Sequence, residues 1–561
     1  MANKDKHSRT GKPLIHRRGT AIPARTFYFL SAGLVGLALA VRLYQIGGQE
    51  LWLDEAFSCY VVTLPNWFKT ILVDNNPPLY YLVLRAWTWI AGTSEAALRL
   101  PTALAGTLLV GLIIWAAREI FNREVALWAG IVAALAPVQI YYSQQARVYP
   151  ILDSLLILTW ILVWRAFATN SWRWWALASA AAVTALYSHY LAILALAPTV
   201  VLLFFKQEPG RRRGYAVFAG TSLVLFAPWT LWSFMFVHHP AVGTSWIENV
   251  WSETPKLLAI PRSLEILGLG GQAGLVPMWM GQFSVINFPT PLRLLGLSVL
   301  VLFGIALART RGEHELGIPD LGRRKVYLVV LLLAPLAALW LISWVKPIYA
   351  VGRYDILVYP AFPLLLGLAL QKLQRGLGWH IAAVAVAAFL LPVLVKLNLY
   401  YAVAVPGEAE PMARILDAEV HNGDVVVFSG LRALPVLYYM SRRGYVWENG
   451  YCSNANKELR FYCRMYPRVS EVTPAATDTR RLLGSTETAR AELADYLPKL
   501  DRKRGTFWVV LWGASPGGKA KIPRADQLLF RELETAGLKP VPDSSGQELL
   551  FIRYRVPQPT S

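Results

Sequence analysis

Long apolar runs joined by short polar connections make up the first 400 or so residues of this chain. The run from Thr26 to Ile46 is about 21 residues, enough to cross a hydrocarbon core of about 30 Å. Ten further apolar segments cover roughly 98–117, 125–142, 148–165, 173–188, 189–206, 214–236, 291–309, 326–345, 354–371 and 378–397, so eleven membrane-spanning helices are predicted. The stretch 77–92, P-P-L-Y-Y-L-V-L-R-A-W-T-W-I-A-G, is short and carries Arg85, and it reads as an interfacial or re-entrant helix. Between Asp54 and Val73, two short apolar-polar pieces broken at Pro65 read as helices lying on the outer surface.

From about Gly407 the pattern changes to that of a soluble protein. G-D-V-V-V-F-S-G (423–430), T-F-W-V-V-L-W-G (506–513) and E-L-L-F-I-R-Y (548–554) predict strands, and 524–537 predicts a helix ending at Gly537. The expected fold is an α-helical polytopic membrane protein with a small C-terminal extracytoplasmic α/β domain. Its divisions are a basic cytoplasmic tail over 1–25, a transmembrane region over 26–400 with outer loops 47–97 and 237–290, and the α/β domain over 405–556.

Composition agrees with this solvent. The chain is 55% hydrophobic and only 16% charged, against about 25% charged in ordinary soluble proteins. Its net charge of +20 does not point to nucleic acid, because the basic residues fall in short clusters between apolar runs. Seven Lys/Arg precede the first run, and further clusters stand at Lys206 with Arg211–Arg213, at Arg309, Arg311 and Arg323–Lys325, and at Lys372 with Arg375. With these in the cytoplasm, the connections holding Arg147, His189, 237–290 and 346–353, and everything after 400, face outward. The expected location is the plasma membrane, the inner membrane in a bacterium, with the active site facing out.

Carboxylates and guanidiniums gather on that outer face. Asp54 and Glu55 follow the first span in L-W-L-D-E-A-F, and acids at a membrane interface are costly unless used. With them come Asp74, Asn75 and Asn76 before Pro77-Pro78, Arg99, Tyr142, Arg147, His189 and Arg353. A carboxylate suits a general base that deprotonates a hydroxyl, and guanidinium forks suit a phosphate that gains charge on leaving. Together they suggest glycosyl transfer from a phosphate-bearing lipid. Each group has a plainer explanation as well: Asp54 and Glu55 as helix-capping acids, the arginines as snorkelling anchors, His189 as a structural histidine, and the tyrosines as part of a membrane belt. Of the three cysteines, Cys452 and Cys463 both fall in the soluble domain and are candidates for a disulfide. No spacing resembles a zinc site or a phosphate loop.

The motifs L-W-L-D-E-A-F, D-N-N-P-P-L-Y-Y, E-A-A-L-R-L-P-T-A-L-A-G, P-V-Q-I-Y-Y-S-Q-Q-A-R-V-Y, L-Y-S-H-Y and G-R-Y-D-I-L-V-Y-P-A-F-P resemble, in order, the family 39 glycosyltransferases of the GT-C fold. That family includes protein O-mannosyltransferases and aminoarabinose transferases. The resemblance implies transfer of a sugar from a polyprenyl-phosphate carrier to a lipid, glycan or protein acceptor outside the cytoplasm. It implies Asp54 as the acidic residue that serves as base or acceptor ligand, Glu55 as its neighbour facing the donor, and Arg147 and Arg353 near the carrier phosphate. Asn76 departs from the His often found before Pro-Pro in relatives. No cofactor is required by these motifs, and since members differ in metal dependence a divalent metal stays open. Two other classes compete: a transporter or flippase of lipid-linked sugars, for which no paired internal repeat is evident, and a non-catalytic scaffold, which has no need of the acidic pair.

Overall fold

The computed structural model describes residues 22–65, 67–72, 74, 76–204, 209–236, 245–271, 289–309, 316, 318–402, 409–429, 434–448, 451–453, 458–463, 486–512, 524–541 and 549–556. Its helices in order are α1 (Ala24–Leu43), α2 (Leu53–Thr63), α3 (Trp67–Leu72), α4 (Leu79–Ala91), α5 (Glu95–Ile120), α6 (Arg123–Leu135), α7 (Pro137–Ser143), α8 (Tyr149–Thr169), α9 (Trp172–Ser188) and α10 (Ala192–Leu196), the last continuing into a 3-10 turn to Phe204. Then follow α11 (Pro209–Phe236), α12 (Ser245–Glu253), α13 (Ala259–Leu269), α14 (Thr290–Ala308), α15 (Leu321–Ser343), α16 (Ala361–Leu377) and α17 (Trp379–Ala402).

Seven described helices are long and apolar enough to cross a membrane: α1, α5, α8, α11, α14, α15 and α17. Against the eleven spans expected, the other four segments differ in shape. The segment 125–142 is α6 and α7, bent by 57° at Pro137; α9 and α16 have 17 residues each, and 192–204 is shorter still. Polar contacts nevertheless sort the connections into two ends of the bundle. At one end Arg375 meets Glu124, and Arg324 and Arg123 donate to the carbonyls of Ile120 and Ile22. At the other, Asp54 meets Arg147 and Arg353. The short helices therefore also carry the chain from end to end. The 13-residue α4 and the pair α2–α3 do not, which agrees with their reading as interfacial. Reporter fusions after residues 210 and 320 are expected to read cytoplasmic, and those after 260 and 420 extracytoplasmic; a cytoplasmic signal at 420 would overturn this orientation.

Two local devices hold the bundle. Pro137 has no N–H, which frees carbonyls of the preceding turn, and the fully buried Arg42 of α1 donates to the carbonyls of Ala133 (3.3 Å) and Ala134 (3.2 Å) in their place. Gly367 lets α16 lie directly on α6: a Cβ there would stand 2.7 Å from the Val125 carbonyl oxygen.

The C-terminal part holds α18 (Ala409–Glu419), β1 (Val425–Ser429), α19 (Leu434–Arg442), β2 (Val446–Glu448), β3 (Tyr451–Ser453), β4 (Glu458–Cys463), α20 (Thr486–Tyr496), β5 (Phe507–Trp512), α21 (Arg524–Thr535), β6 (Lys539–Pro540) and β7 (Leu549–Arg555). The seven-stranded sheet runs β2-β3-β4-β1-β5-β7-β6, with β1 parallel to β4 and β5. Alternation along β1 gives the sheet two buried faces. Val425 and Val427 pack with Leu493, Leu529 and Leu533, while Val426 and Phe428 join the core that continues through α18 and α19 into the membrane helices. The soluble domain is thus seated on the helical bundle. Cys452 pairs across the sheet with Leu459, whereas Cys463 stands farther along β4 beside Phe428. From residue 459 to 463 the strand rises about 13 Å, beyond the Cα separation of about 4.4–6.8 Å that a disulfide spans. The register therefore does not bring the two together; their side chains lie outside the described residues.

Candidate active site

The site is built where α2 starts. Glu55 caps its own helix by accepting from the Trp52 N–H (3.3 Å), and the two acids of the first turn complement the helix dipole. Its main partner is Arg99 of α5, whose Nε and Nη2 reach the two Glu55 oxygens at 2.8 Å each, and the Ala146 N–H adds a bond of 2.7 Å. Arg99 spends its remaining donors on the carbonyls of Ile46, Gln49 and Glu50 at 2.9 to 3.0 Å. Glu55, expected to face a donor, and Arg99, expected at a substrate, are both buried with their hydrogen-bonding groups engaged by each other and by the surrounding backbone, and they fix the chain around Asp54. Removing one partner leaves an uncompensated buried charge, which costs about 3–5 kcal/mol. Arg99→Ala is expected to lower the recovery of folded protein in detergent, which gel filtration reads directly.

Asp54 is different, with 20% of its side chain exposed. Arg353 Nη2 contacts its Oδ2, and Arg147 Nη2 lies 3.5 Å from the same oxygen. Burial works against the carboxylate, but the guanidiniums of Arg353 and Arg147 outweigh it and hold Asp54 below the usual carboxylate range. Arg353 is placed by its Nε bond to the Tyr149 hydroxyl (2.7 Å), and its loop by Asp355, which accepts from the Gly352 N–H at 2.9 Å. Arg147 stands in a turn pinned on three sides: Ala146 N–H to Glu55, the Gln145 carbonyl to Thr102 (2.7 Å), and the Gln144 side chain to the Tyr44 carbonyl (2.7 Å). Its own contacts are weak. Its Nη1 reaches the Asp54 carbonyl and the Ser58 hydroxyl at 3.4 Å, and its buried Nε has no partner among the described residues.

Arg147 also lines a narrow cleft with Asn76, Pro77, Tyr80, Tyr81, Val148 and Ser188. Asn76 donates to Asp74 (3.1 Å), which also accepts from the Tyr81 hydroxyl (2.7 Å), so Asn76 sits at the cleft as a held amide; Asn75 lies outside the described residues. His189 follows Ser188 at the end of α9, with its ring 5.4 Å from that of Tyr354. Its Nδ1 accepts the Leu191 N–H (3.1 Å), which leaves the proton on Nε2 as a donor. Burial, with Arg353 and Arg147 adding to it, pushes His189 down to about 3, so the ring is neutral near pH 7. Tyr142, expected at the substrate, is instead buried and donates to the Gly352 carbonyl. Among the described residues, no group of three or more His, Cys, Asp or Glu is placed to hold a metal ion. Of the outer loop 237–290, α12 and α13 are described, and 237–244 and 272–288 lie outside the described residues.

Residues from positions 54, 76, 147, 189 and 353 thus converge at one end of the bundle. The family model described as dolichyl-phosphate-mannose-protein mannosyltransferase matches residues 75–232. Among solved structures, ArnT from Cupriavidus metallidurans in the apo state is similar over 95% of this chain and 98% of its own, at 14% identity and a TM-score of 0.57. The chain has the GT-C glycosyltransferase fold. The same ArnT bound to undecaprenyl phosphate is similar over 93% of this chain and 97% of its own, at 13% identity and a TM-score of 0.52. The oligosaccharyltransferase of Archaeoglobus fulgidus in the apo form shares 12% identity at a TM-score of 0.50, over 86% of this chain and 69% of its own. Comparison with curated proteins finds no match. Within this GT-C fold, three contributors escape a motif reading. Tyr149 was legible only as a belt aromatic, yet it holds Arg353; Asp355 fixes the Arg353 loop; and Arg42 braces the turn before Arg147 through Ser143 (3.2 Å).

Proposed function

We propose that this membrane protein is a glycosyltransferase that moves a sugar from a polyprenyl-phosphate carrier to a hydroxyl acceptor outside the cytoplasm. The observation that carries the reading is Asp54, a partly open carboxylate between two buried guanidiniums, one of which, Arg147, lines a cleft and has a buried Nε with no partner among the described residues. The GT-C fold, the match to the mannosyltransferase family model and the likeness to an ArnT structure bound to undecaprenyl phosphate support the class of donor. The sugar and the acceptor are left open.

In this mechanism the carrier phosphate sits against Arg147, with the Nε2–H of His189 as a further donor nearby. Asp54 takes the proton of the acceptor hydroxyl as its oxygen bonds to the anomeric carbon, the bond from that carbon to the phosphate oxygen breaks, and the carrier leaves as its phosphate. Displacement from one side inverts the anomeric carbon. Arginine forks aimed at the leaving oxygens stabilise charge that exists only late in the reaction, which is where binding accelerates chemistry.

An ion-paired carboxylate is a weak base, so the phosphate must do part of the activation: an anion on Arg147 offsets part of the charge that depresses Asp54. In the free enzyme Asp54 is therefore ionised, and competent, down to a pH below its ordinary pKa of 3.8. With donor bound its pKa is higher. The acid limb of kcat/KM, which reports the free enzyme, is expected at lower pH than the acid limb of kcat. Coincident limbs would show that the donor does not relieve the pairing. The direct test of function is turnover of a radiolabelled polyprenyl-phosphate sugar by the purified protein with extracted membrane acceptors; no transfer from mannosyl, glucosyl or aminoarabinosyl carriers, with intact carrier recovered, would overturn the reading.

A further inference from the structure

The segment that leads into Asp54 is gripped from two sides. From the membrane helices, Arg99 takes the carbonyls of Ile46, Gln49 and Glu50. From the soluble domain, the first two amides of α18 donate to the Glu50 carboxylate, Ala409 N–H to Oε2 at 2.9 Å and Glu410 N–H to Oε1 at 3.1 Å. On the neighbouring residue, the Leu51 N–H donates to the hydroxyl of Tyr439 in α19 (3.1 Å). Tyr438 next to it reaches across to the Thr93 carbonyl, before α5, at 2.8 Å. Leu51, Ala409, Tyr438 and Tyr439 are all buried, so the Leu51–Tyr439 bond is closed to water, while the bonds of the half-buried Glu50 lie at the margin of the same interface. Trp52, one residue on, lies under the Arg353 guanidinium at 6.0 Å. The latch, the helix start and the Asp54–Arg353 pair are therefore successive links of one short stretch of backbone.

We infer that the C-terminal domain is a positioning element for the catalytic loop: Glu50 and Tyr439 lock residues 50–52 so that α2 presents Asp54 to the reacting hydroxyl. The domain need not touch substrate to do this. Glu50 serves as the N-cap acid of a helix in another domain, which exploits the orphan amides and the dipole of that helix. The Tyr439 hydroxyl satisfies the buried amide of Leu51 at the turn into α2. A positional error of about 1 Å in a catalytic group can cost as much as about 100-fold in rate, so modest loosening of this stretch reaches the chemistry.

The catalytic consequence rests on the glycosyltransferase reading, and the latch itself has a readout that does not. In the full-length protein in detergent, Tyr439→Phe and Glu50→Gln are expected to speed hydrogen exchange over residues 49–57 by about 10-fold while α5 and α8 keep their protection. Exchange indistinguishable from the wild type in both variants overturns the latch. Turnover is expected to fall by about 3- to 10-fold per variant, the loss of one hydrogen bond's net worth. The decisive comparison is with Asp54→Asn. A variant that only lowers the fraction of folded enzyme multiplies whatever rate is left, whereas a variant that only misplaces Asp54 has nothing left to misplace. Tyr439→Phe is therefore expected to be nearly silent on the residual rate of Asp54→Asn; equal losses in both backgrounds overturn the positioning role. A wild-type protein that turns over no polyprenyl-phosphate sugar would count against the proposed function instead, and the exchange comparison would still decide whether the latch exists.

Discussion

Asp54→Asn is expected to leave a folded, membrane-inserted protein whose turnover falls by about 100- to 10,000-fold, the usual contribution of a positioned general base. The amide keeps the shape and still accepts one bond from Arg353, but it takes no proton. The structure adds a second half to this expectation. Asp54 is the acid that both Arg353 and Arg147 engage, so its neutralisation leaves two buried positive charges, one of them lining the cleft, without their carboxylate. An anionic donor should bind there as tightly as before, or more tightly. Hence kcat should collapse while the KM for the donor stays level or drops, the pattern of a group that acts in the transition state and competes with substrate in the ground state. Near wild-type turnover in the purified variant would remove Asp54 from the reaction. A large rise in KM would recast it as a ligand for the donor.

Much of this arrangement is legible in the sequence, for physical reasons that differ by level. Span positions follow from hydropathy because a bilayer forces long apolar helices, and the basic clusters give an expected orientation that the reporter fusions test. The acidic pair stands out because carboxylates at an interface are expensive. What the residues do to one another is not legible. Asp54 and Glu55 are adjacent, yet a helical turn points them about 100° apart: one enters a closed pair with Arg99 and the other stays partly exposed between Arg147 and Arg353. Only packing decides which, since the partner of each lies at least 44 residues away. Arg99 and Arg147 look alike in the chain and differ only in whether their donors are used up. Tyr142 and Tyr149 occur in one motif, and the backbone turn between them sends one hydroxyl to Gly352 and the other to Arg353. The bend at Pro137 is written in the sequence; the arginine that repairs it is not, because a charged residue inside the first span reads as a flaw in the span.

The two arginines on Asp54 are not equivalent, and their substitution should separate binding from catalysis. Arg353 is engaged with Tyr149 and with the carboxylate, so its main effect is to hold Asp54 in place. Arg147 has long contacts of 3.4 to 3.5 Å and a buried Nε without a partner among the described residues, so it has donors left for a ligand. Both are over nine-tenths buried, which sets them apart from snorkelling anchors whose heads rise to water. An ammonium keeps the charge but loses the fork. Arg147→Lys is therefore expected to raise the KM for the donor by about 10-fold, the worth of one charge-assisted bond, and Arg147→Ala by about 100-fold. Arg353→Lys should instead lower kcat with little change in KM, because it frees the base to wander while the phosphate keeps Arg147. Replacing Arg353 by Ala strands Asp54 beside a single weak partner, and the acid limb of the free-enzyme profile should move to higher pH, since the larger of the two charges that depress its pKa is gone. Donor titrations and pH profiles of these four variants, with gel filtration to confirm folding, read each of these outcomes separately. Normal kinetics in both Lys variants would mean that neither fork touches the carrier, and the phosphate would then belong nearer His189 and Asn76.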